Sequence, residues 1–190
     1  MASGAAYPLR FDVDYPERLS RWLIFVKWLL AFPHYMVLML YGIAYFATLI
    51  IAWFAILFTG RYPRGLFNFA VGLLRWSARV TAYVYLMRDE YPPFGTAGDY
   101  PARLEVDYPE RLSRWLIFVK GLLVIPHLII LYGYNILASA IMFVSFFIIL
   151  FTGRYPKALF DLVVGYYRWY NRVYAYVLLL TDEYPPFTNA

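Results

Sequence analysis

The sequence predicts an all-α membrane protein made of two tandem pseudo-two-fold repeats, each a hydrophobic helical hairpin plus an amphipathic interfacial helix. Three observations predict it. Residues 12–94 align without a gap onto residues 105–187 at a constant offset of 93, with roughly 50 of the 83 positions identical. Self-similarity at a fixed period makes the chain one unit used twice. Hydrophobic residues make up 63% of the chain and charged residues 15%, against about 25% charged in ordinary soluble domains, which is too little polar surface for a compact soluble globule. Trp28 to Phe58 and Gly121 to Phe151 contain no Asp, Glu, Lys or Arg. Apolar runs well beyond about 18 residues read as membrane-embedded.

The alignment divides the chain into an N-terminal segment (1–11), repeat 1 (12–94), a linker (95–104), repeat 2 (105–187) and a tail (188–190). Within repeat 1 the first hydrophobic stretch, Pro16 to Phe32, follows Asp14, a helix-cap residue type, and meets Pro33. Its polar residues Glu17, Ser20, Arg21 and Lys27 fall within about a third of the helical circumference at 100° per residue. The second stretch, His34 to Phe58, is continuously apolar and stops at Thr59-Gly60-Arg61-Tyr62-Pro63, where glycine and proline end a helix. The third, Arg64 to Met87, is apolar apart from one narrow stripe.

Length constrains the path through a bilayer. Trp22 to Phe58 would span about 55 Å as a single helix, nearly twice a hydrocarbon core of about 30 Å. In one layout Trp22 to Tyr41 enters and Ile43 to Phe58 returns, turning around Gly42 in repeat 1 and Gly133 to Asn135 in repeat 2. In the other, Pro16 to Phe32 lies on the surface, His34 to Phe58 crosses once and the third stretch crosses back. The hairpin puts all 17 Lys and Arg on one side, which the positive-inside rule makes cytoplasmic. The alternative leaves Arg61, Arg64, Arg154 and Lys157 outside and drags two arginines per unit through lipid, at about 2.5–3.5 kcal/mol each. Charge placement therefore favours the hairpin, with both termini and the linker cytoplasmic.

Composition closes off several chemistries. The chain has no cysteine, hence no disulfide, no thiolate nucleophile and no Cys-based metal site of its own. The opening MASGAAYPLRFDVDYPERL lacks the basic and apolar regions of a cleavable signal peptide. A net charge of +5 suits anionic headgroups, and no nucleic-acid module is recognisable.

Three constellations could carry function. Asn68, Gly72, Arg75 and Arg79 recur at spacings of four, three and four and share an arc of about 60° on the third stretch; repeat 2 has Asp161, Gly165, Arg168 and Arg172. On an interfacial helix the four arginines reach the phosphate level as lipid or anion contacts. His34 and His127, the only histidines, each follow a proline at the same place in the unit. An imidazole there can satisfy a carbonyl freed by proline, and paired membrane histidines can also ligate haem or chlorophyll, which is the weaker expectation. Tyr-Pro recurs at Tyr15, Tyr62 and Tyr91 and at their counterparts, as an aromatic belt with turns. No phosphate loop, nucleophile elbow or zinc motif occurs, so neither a catalytic site nor a metal site is expected.

YPERLSRWLIFVK, Pro-His, ILFTGRYP, the Arg-Trp pair with a second arginine four residues on, and DEYPPF together resemble a bacterial membrane-protein family catalogued as a domain of unknown function, DUF 4389. The resemblance covers both units. It implies a bacterial inner-membrane protein of tandem domains and carries no activity to any residue. The functional expectation is a non-catalytic membrane scaffold or accessory subunit, partnered by lipids, other membrane subunits or copies of itself, without a cofactor. A small transporter or channel at the repeat interface is the alternative, disfavoured by charge-free cores that offer few polar residues.

Overall fold

A computed structural model describes residues 7–95 and 98–189. In chain order its elements are β1 (Leu9–Val13), α1 (Lys27–Thr59), α2 (Arg64–Val84), β2 (Ala102–Val106), α3 (Leu116–Leu123), α4 (Ile125–Thr152) and α5 (Lys157–Val177), with one 3-10 turn at Leu23–Phe25. The chain is mostly helical and duplicated, as the repeat predicts. It is not all-α.

The two strands pair antiparallel, Leu9 opposite Val106, Phe11 opposite Leu104 and Val13 opposite Ala102. Leu9, Phe11, Val13, Ala102 and Leu104 are buried, while Arg10, Asp12, Arg103 and Glu105 face out. That period of two is the strand signature. The strands straddle the boundaries drawn at residues 12 and 105. Tyr7-Pro8 matches Tyr100-Pro101 at the same offset of 93.

The turn expected around Gly42, and around Gly133 to Asn135, does not form. Gly42 lies inside α1, a continuous helix of 33 residues, and Gly133 to Asn135 lie inside α4. Glycine costs about 1 kcal/mol in a helix, too little to break so long an apolar run with no proline beside it. The hairpin of each unit is instead α1 with α2, and α4 with α5. Along it Lys27 lies over the Tyr83 ring, His34 meets Trp76, and Tyr41 and Tyr45 meet Phe69. α1 and α2 are thus antiparallel.

The long stretch is interrupted differently in the two units. In repeat 1 the break is at Val26 and Pro33 sits within α1; in repeat 2 it is at Val124, and Pro126 occupies the first turn of α4. Proline has no N–H to donate and is tolerated in a first turn. Gly60 and Gly153, at φ 69° and 70°, end α1 and α4 in the left-handed conformation and donate to Ile56 O and Ile149 O at 2.7 Å. α2 and α5 end on Leu86 and Leu179 at φ 61° and 63°. There Met87 N–H and Leu180 N–H reach back to Ala82 O and Ala175 O at 2.9 Å, closing a Schellman cap with leucine where glycine is usual.

The units interlock. β1, which precedes repeat 1, packs on α5 of repeat 2, while β2 packs on α2 of repeat 1. Leu19 N–H donates to Gly153 O at 2.9 Å, and Leu112 N–H to Gly60 O at 2.8 Å. Phe25 meets Phe146 edge-on, and Phe118 meets Trp53. The ribbon, the α2/α5 layer and the α1/α4 layer therefore stack in that order.

Two stretches are long and apolar enough to cross a membrane, Lys27–Thr59 and Leu116–Thr152, and only 17% and 22% of their most apolar windows are buried. Ile43, Phe46, Phe58, Ile129, Phe143 and Phe151 are each about two-thirds exposed or more. An unbroken apolar surface of this extent marks contact with lipid or protein.

Candidate functional site

The arginine stripes face the ribbon. Arg75 donates from Nε to Leu104 O at 3.0 Å, and Arg168 from Nε to Phe11 O at 3.0 Å. Leu104 and Phe11 are themselves equivalent positions, so the two bonds are images of each other. Arg168 also donates to Asp12 Oδ1 at 3.2 Å and Asn189 O at 3.0 Å. Arg79 donates to Gly98 O at 2.9 Å and lies over the Tyr100 ring, as Arg172 lies over Tyr7. The structure thus brings the four stripe arginines to the ribbon, two from each side, Arg75 and Arg168 on strand carbonyls and Arg79 and Arg172 against the rings of Tyr100 and Tyr7 that precede the strands. Burial, reinforced by the neighbouring Arg75 or Arg168, pulls the pKa of Arg79 and Arg172 down; arginine starts so high that both stay charged.

Asn68 and Asp161 do not join them, since Asp161 pairs with Lys157 at 2.5 Å on the exposed side. Gly165 has a packing reason. A Cβ there would come within 3.1 Å of Asn189 in the C-terminal tail.

Tyr7 and Tyr100 complete the ribbon contacts. Their hydroxyls donate to Glu183 O at 3.1 Å and Glu90 O at 2.9 Å. Burial, and then the Glu183 or Glu90 charge, pushes both phenols well above their usual range. Glu90 itself is held below the usual carboxylate range by its bond to Arg88.

Each histidine is enclosed by its own repeat. His34 Nδ1 accepts from Trp76 Nε1 at 3.1 Å, and the ring stacks on Phe94 with centroids 4.1 Å apart. His127 repeats this with Trp169 at 3.0 Å and Phe187 at 3.8 Å. Because Nδ1 accepts, the proton sits on Nε2 and the imidazole is neutral. The donor that each histidine satisfies is an indole, while its Nε2 is buried without a hydrogen-bond partner. Among the described residues no group of three or more His, Asp or Glu is placed to hold a metal ion.

Two sets of interacting side chains escape sequence reasoning. Lys27, 1% exposed, donates to Arg88 O at 2.6 Å and pairs with Asp89 at 2.8 Å; Lys120 does the same with Thr181 O and Asp182. Asp89 and Asp182 also accept from Ser20 N–H and Ser113 N–H at 2.5 Å. This joins the opening YPERLSRW and closing DEYPPF motifs into one lock per unit, and their joint repetition was the available signal. The second set lies where the units interlock. Arg18, Leu19 and Arg21 meet Thr152, Gly153 and Arg154 around a cleft of about 390 Å³. Thr59, Gly60 and Arg61 meet Arg111, Leu112 and Arg114 around one of about 450 Å³.

Neither the curated proteins nor the solved structures include a match to the chain. Residues 21–95 and 114–189 both match the model of the family described as a domain of unknown function (DUF4389). The two matches fall on the two helical units built around the arginine stripes, and the chain belongs to that family as two tandem copies.

Proposed function

We propose that the protein is a non-catalytic scaffold or accessory subunit of a bacterial inner membrane, embedded through α1 and α4 with its ribbon and both termini on the cytoplasmic side. The observation that carries this reading is the pairing of a bare apolar layer with a polar layer tied together by arginines. A soluble fold would leave the flanks of α1 and α4 in water at about 25 cal/mol per Å² of apolar surface. Lipid or a partner subunit removes that cost.

One-sided embedding is supported by where the helix ends are tied. The start of α1 is locked to Arg88 and Asp89, and Arg88 reaches Asp14 O beside β1. The end of α1 leads to Tyr62, whose carbonyl accepts from Tyr108 just beyond β2. The two ends of α1, about 50 Å apart, are thus tied to opposite flanks of the five-residue ribbon. All 17 Lys and Arg then share one side, in keeping with the positive-inside rule.

Single cysteines test the arrangement, since the chain has none. Cysteines replacing Thr59 and Thr152 are expected to resist an impermeant maleimide in intact cells and to react in inverted vesicles, with the protein remaining in membranes through alkaline carbonate extraction. Labelling from outside would replace one-sided embedding by a single crossing. Extraction by carbonate would remove the membrane reading altogether.

A further inference from the structure

We infer that the chain carries two anionic-phospholipid headgroup sites, one at each junction between the units, each made of three arginines drawn from both repeats. The inference rests on the membrane reading above and adds a ligand class and an address to it. The clefts are lined by six matching residues at an offset of 93: Arg18, Leu19, Arg21, Thr152, Gly153 and Arg154 against Arg111, Leu112, Arg114, Thr59, Gly60 and Arg61.

Each cleft is built by the fold. The bond from Leu19 N–H to Gly153 O brings the opening segment of repeat 1 onto the end of α4, and Leu112 to Gly60 does the same on α1. Arg21 Nε would stand 3.4 Å from a Cβ on Gly153, and Arg114 Nε 3.6 Å from one on Gly60, so each guanidinium lies in van der Waals reach of the helix end contributed by the other repeat.

The guanidiniums have no acidic partner within the fold. Among the described residues none of the six guanidinium groups makes an ion pair or a hydrogen bond, whereas Arg10, Arg88, Arg103 and Arg168 all have acidic partners. Glu17 and Glu110, adjacent in sequence, pair with none of them. All six arginines are exposed, so water screens their mutual repulsion, and a phosphoryl group that reaches the cleft offers the acceptor oxygens that their planar forks fit.

The surroundings select a lipid as the source of that phosphoryl group. Trp22, beside Arg21, is 80% exposed, and Phe151, beside Thr152, is 73% exposed; Trp115 and Phe58 stand at 80% and 72% by the other cleft. Exposed tryptophan at the end of an apolar helix belongs at headgroup level. Each cleft therefore opens where acyl chains and phosphates meet.

Native mass spectrometry of the full-length protein in mild detergent tests the assignment, with phosphatidylglycerol as the probe and phosphatidylcholine of the same chains as the control. Wild type is expected to retain two phosphatidylglycerol molecules and no phosphatidylcholine. Arg18→Gln, Arg21→Gln and Arg154→Gln together are expected to leave one, with affinity at the altered cleft reduced at least about tenfold. The intact cleft shows that such a variant is folded. Unchanged retention in this variant, or equal retention of phosphatidylcholine, overturns the proposal. Displacement of the lipid by millimolar inorganic phosphate overturns the lipid as ligand and leaves a free-phosphate site. Persistence through carbonate extraction, measured on the same variant, separates a failed headgroup site from a failed membrane reading.

Discussion

Arg75 and Leu104 are joined by a 3.0 Å hydrogen bond from guanidinium Nε to carbonyl oxygen, and the strand that holds Leu104 stands before the other repeat. The same exchange binds Arg168 to Phe11. Each helical unit takes its strand from the segment that precedes its neighbour, so the tandem chain has the form of a strand-exchanged dimer joined into one polypeptide.

A single unit expressed alone should therefore dimerise. Residues 1–95 would pair β1 with a second β1 in the tandem register, with Phe11 opposite Phe11 and Arg10 opposite Asp12, so charges and core both match. Light scattering in detergent is expected to give a dimer. A stable, folded monomer would show that the strand can pack on its own unit.

The stripe arginines distinguish ribbon fastening from headgroup anchoring. Lysine at positions 75 and 168 keeps the charge but lacks the fork that reaches the strand carbonyl and, for Arg168, also Asp12 and Asn189. Each hydrogen bond from a charged group is worth about 1.5–3 kcal/mol, and a protein of this length loses about 2–4 °C in Tm per kcal/mol. The double Lys variant should melt several degrees lower, with faster amide exchange at Leu104 and Phe11. Preserved ribbon protection together with lost lipid would make these residues headgroup ligands instead.

Much of this architecture is legible in the residues. The duplication, the apolar runs, the stops at Gly60 and Gly153 and the alignment of Arg75 with Arg79 are local properties of the sequence. The ribbon was legible too, as alternation in Leu9-Arg10-Phe11-Asp12-Val13, but a five-residue strand is a faint signal beside thirty apolar residues. What no local pattern carries is which partner a polar face meets. An arginine stripe reads alike whether phosphates or strand carbonyls lie opposite it, and the strand opposite Arg75 arrives from 29 residues away. The cleft arginines are harder still to read, because Arg18 and Arg154 become neighbours only once the units exchange segments.

Three glycines provide a paired test of the helix assignment. Gly60 and Gly153 hold positive φ, and an alanine Cβ at Gly60 would make ordinary contact with Leu112 O at 3.4 Å. Gly60→Ala and Gly153→Ala should each cost about 1–2 kcal/mol, mostly for the left-handed backbone. Gly42 is helical with open space where its Cβ would be, so Gly42→Ala should stabilise by about 0.5–1 kcal/mol. Thermal melts in detergent check all three. A destabilising Gly42→Ala would restore a turn at mid-helix.

The histidine boxes yield the last prediction, since His34 and His127 each act as acceptor and stacking surface at once. Glutamine keeps an acceptor for the Trp76 or Trp169 indole but loses the stack on Phe94 or Phe187, a contact worth about 0.5–1.5 kcal/mol beyond its buried area. Phenylalanine keeps the stack and strands a buried indole N–H, at about 1–3 kcal/mol. The double Gln variant should thus lose less thermal stability than the double Phe variant, and Trp76 and Trp169 should show altered indole N–H chemical shifts only with Phe. Equal losses would mean that ring packing alone sets the role of the histidines. A Soret or chlorophyll absorbance band in the natively purified protein that disappears in both variants would make them cofactor ligands instead, because neither replacement offers a ring nitrogen to iron or magnesium.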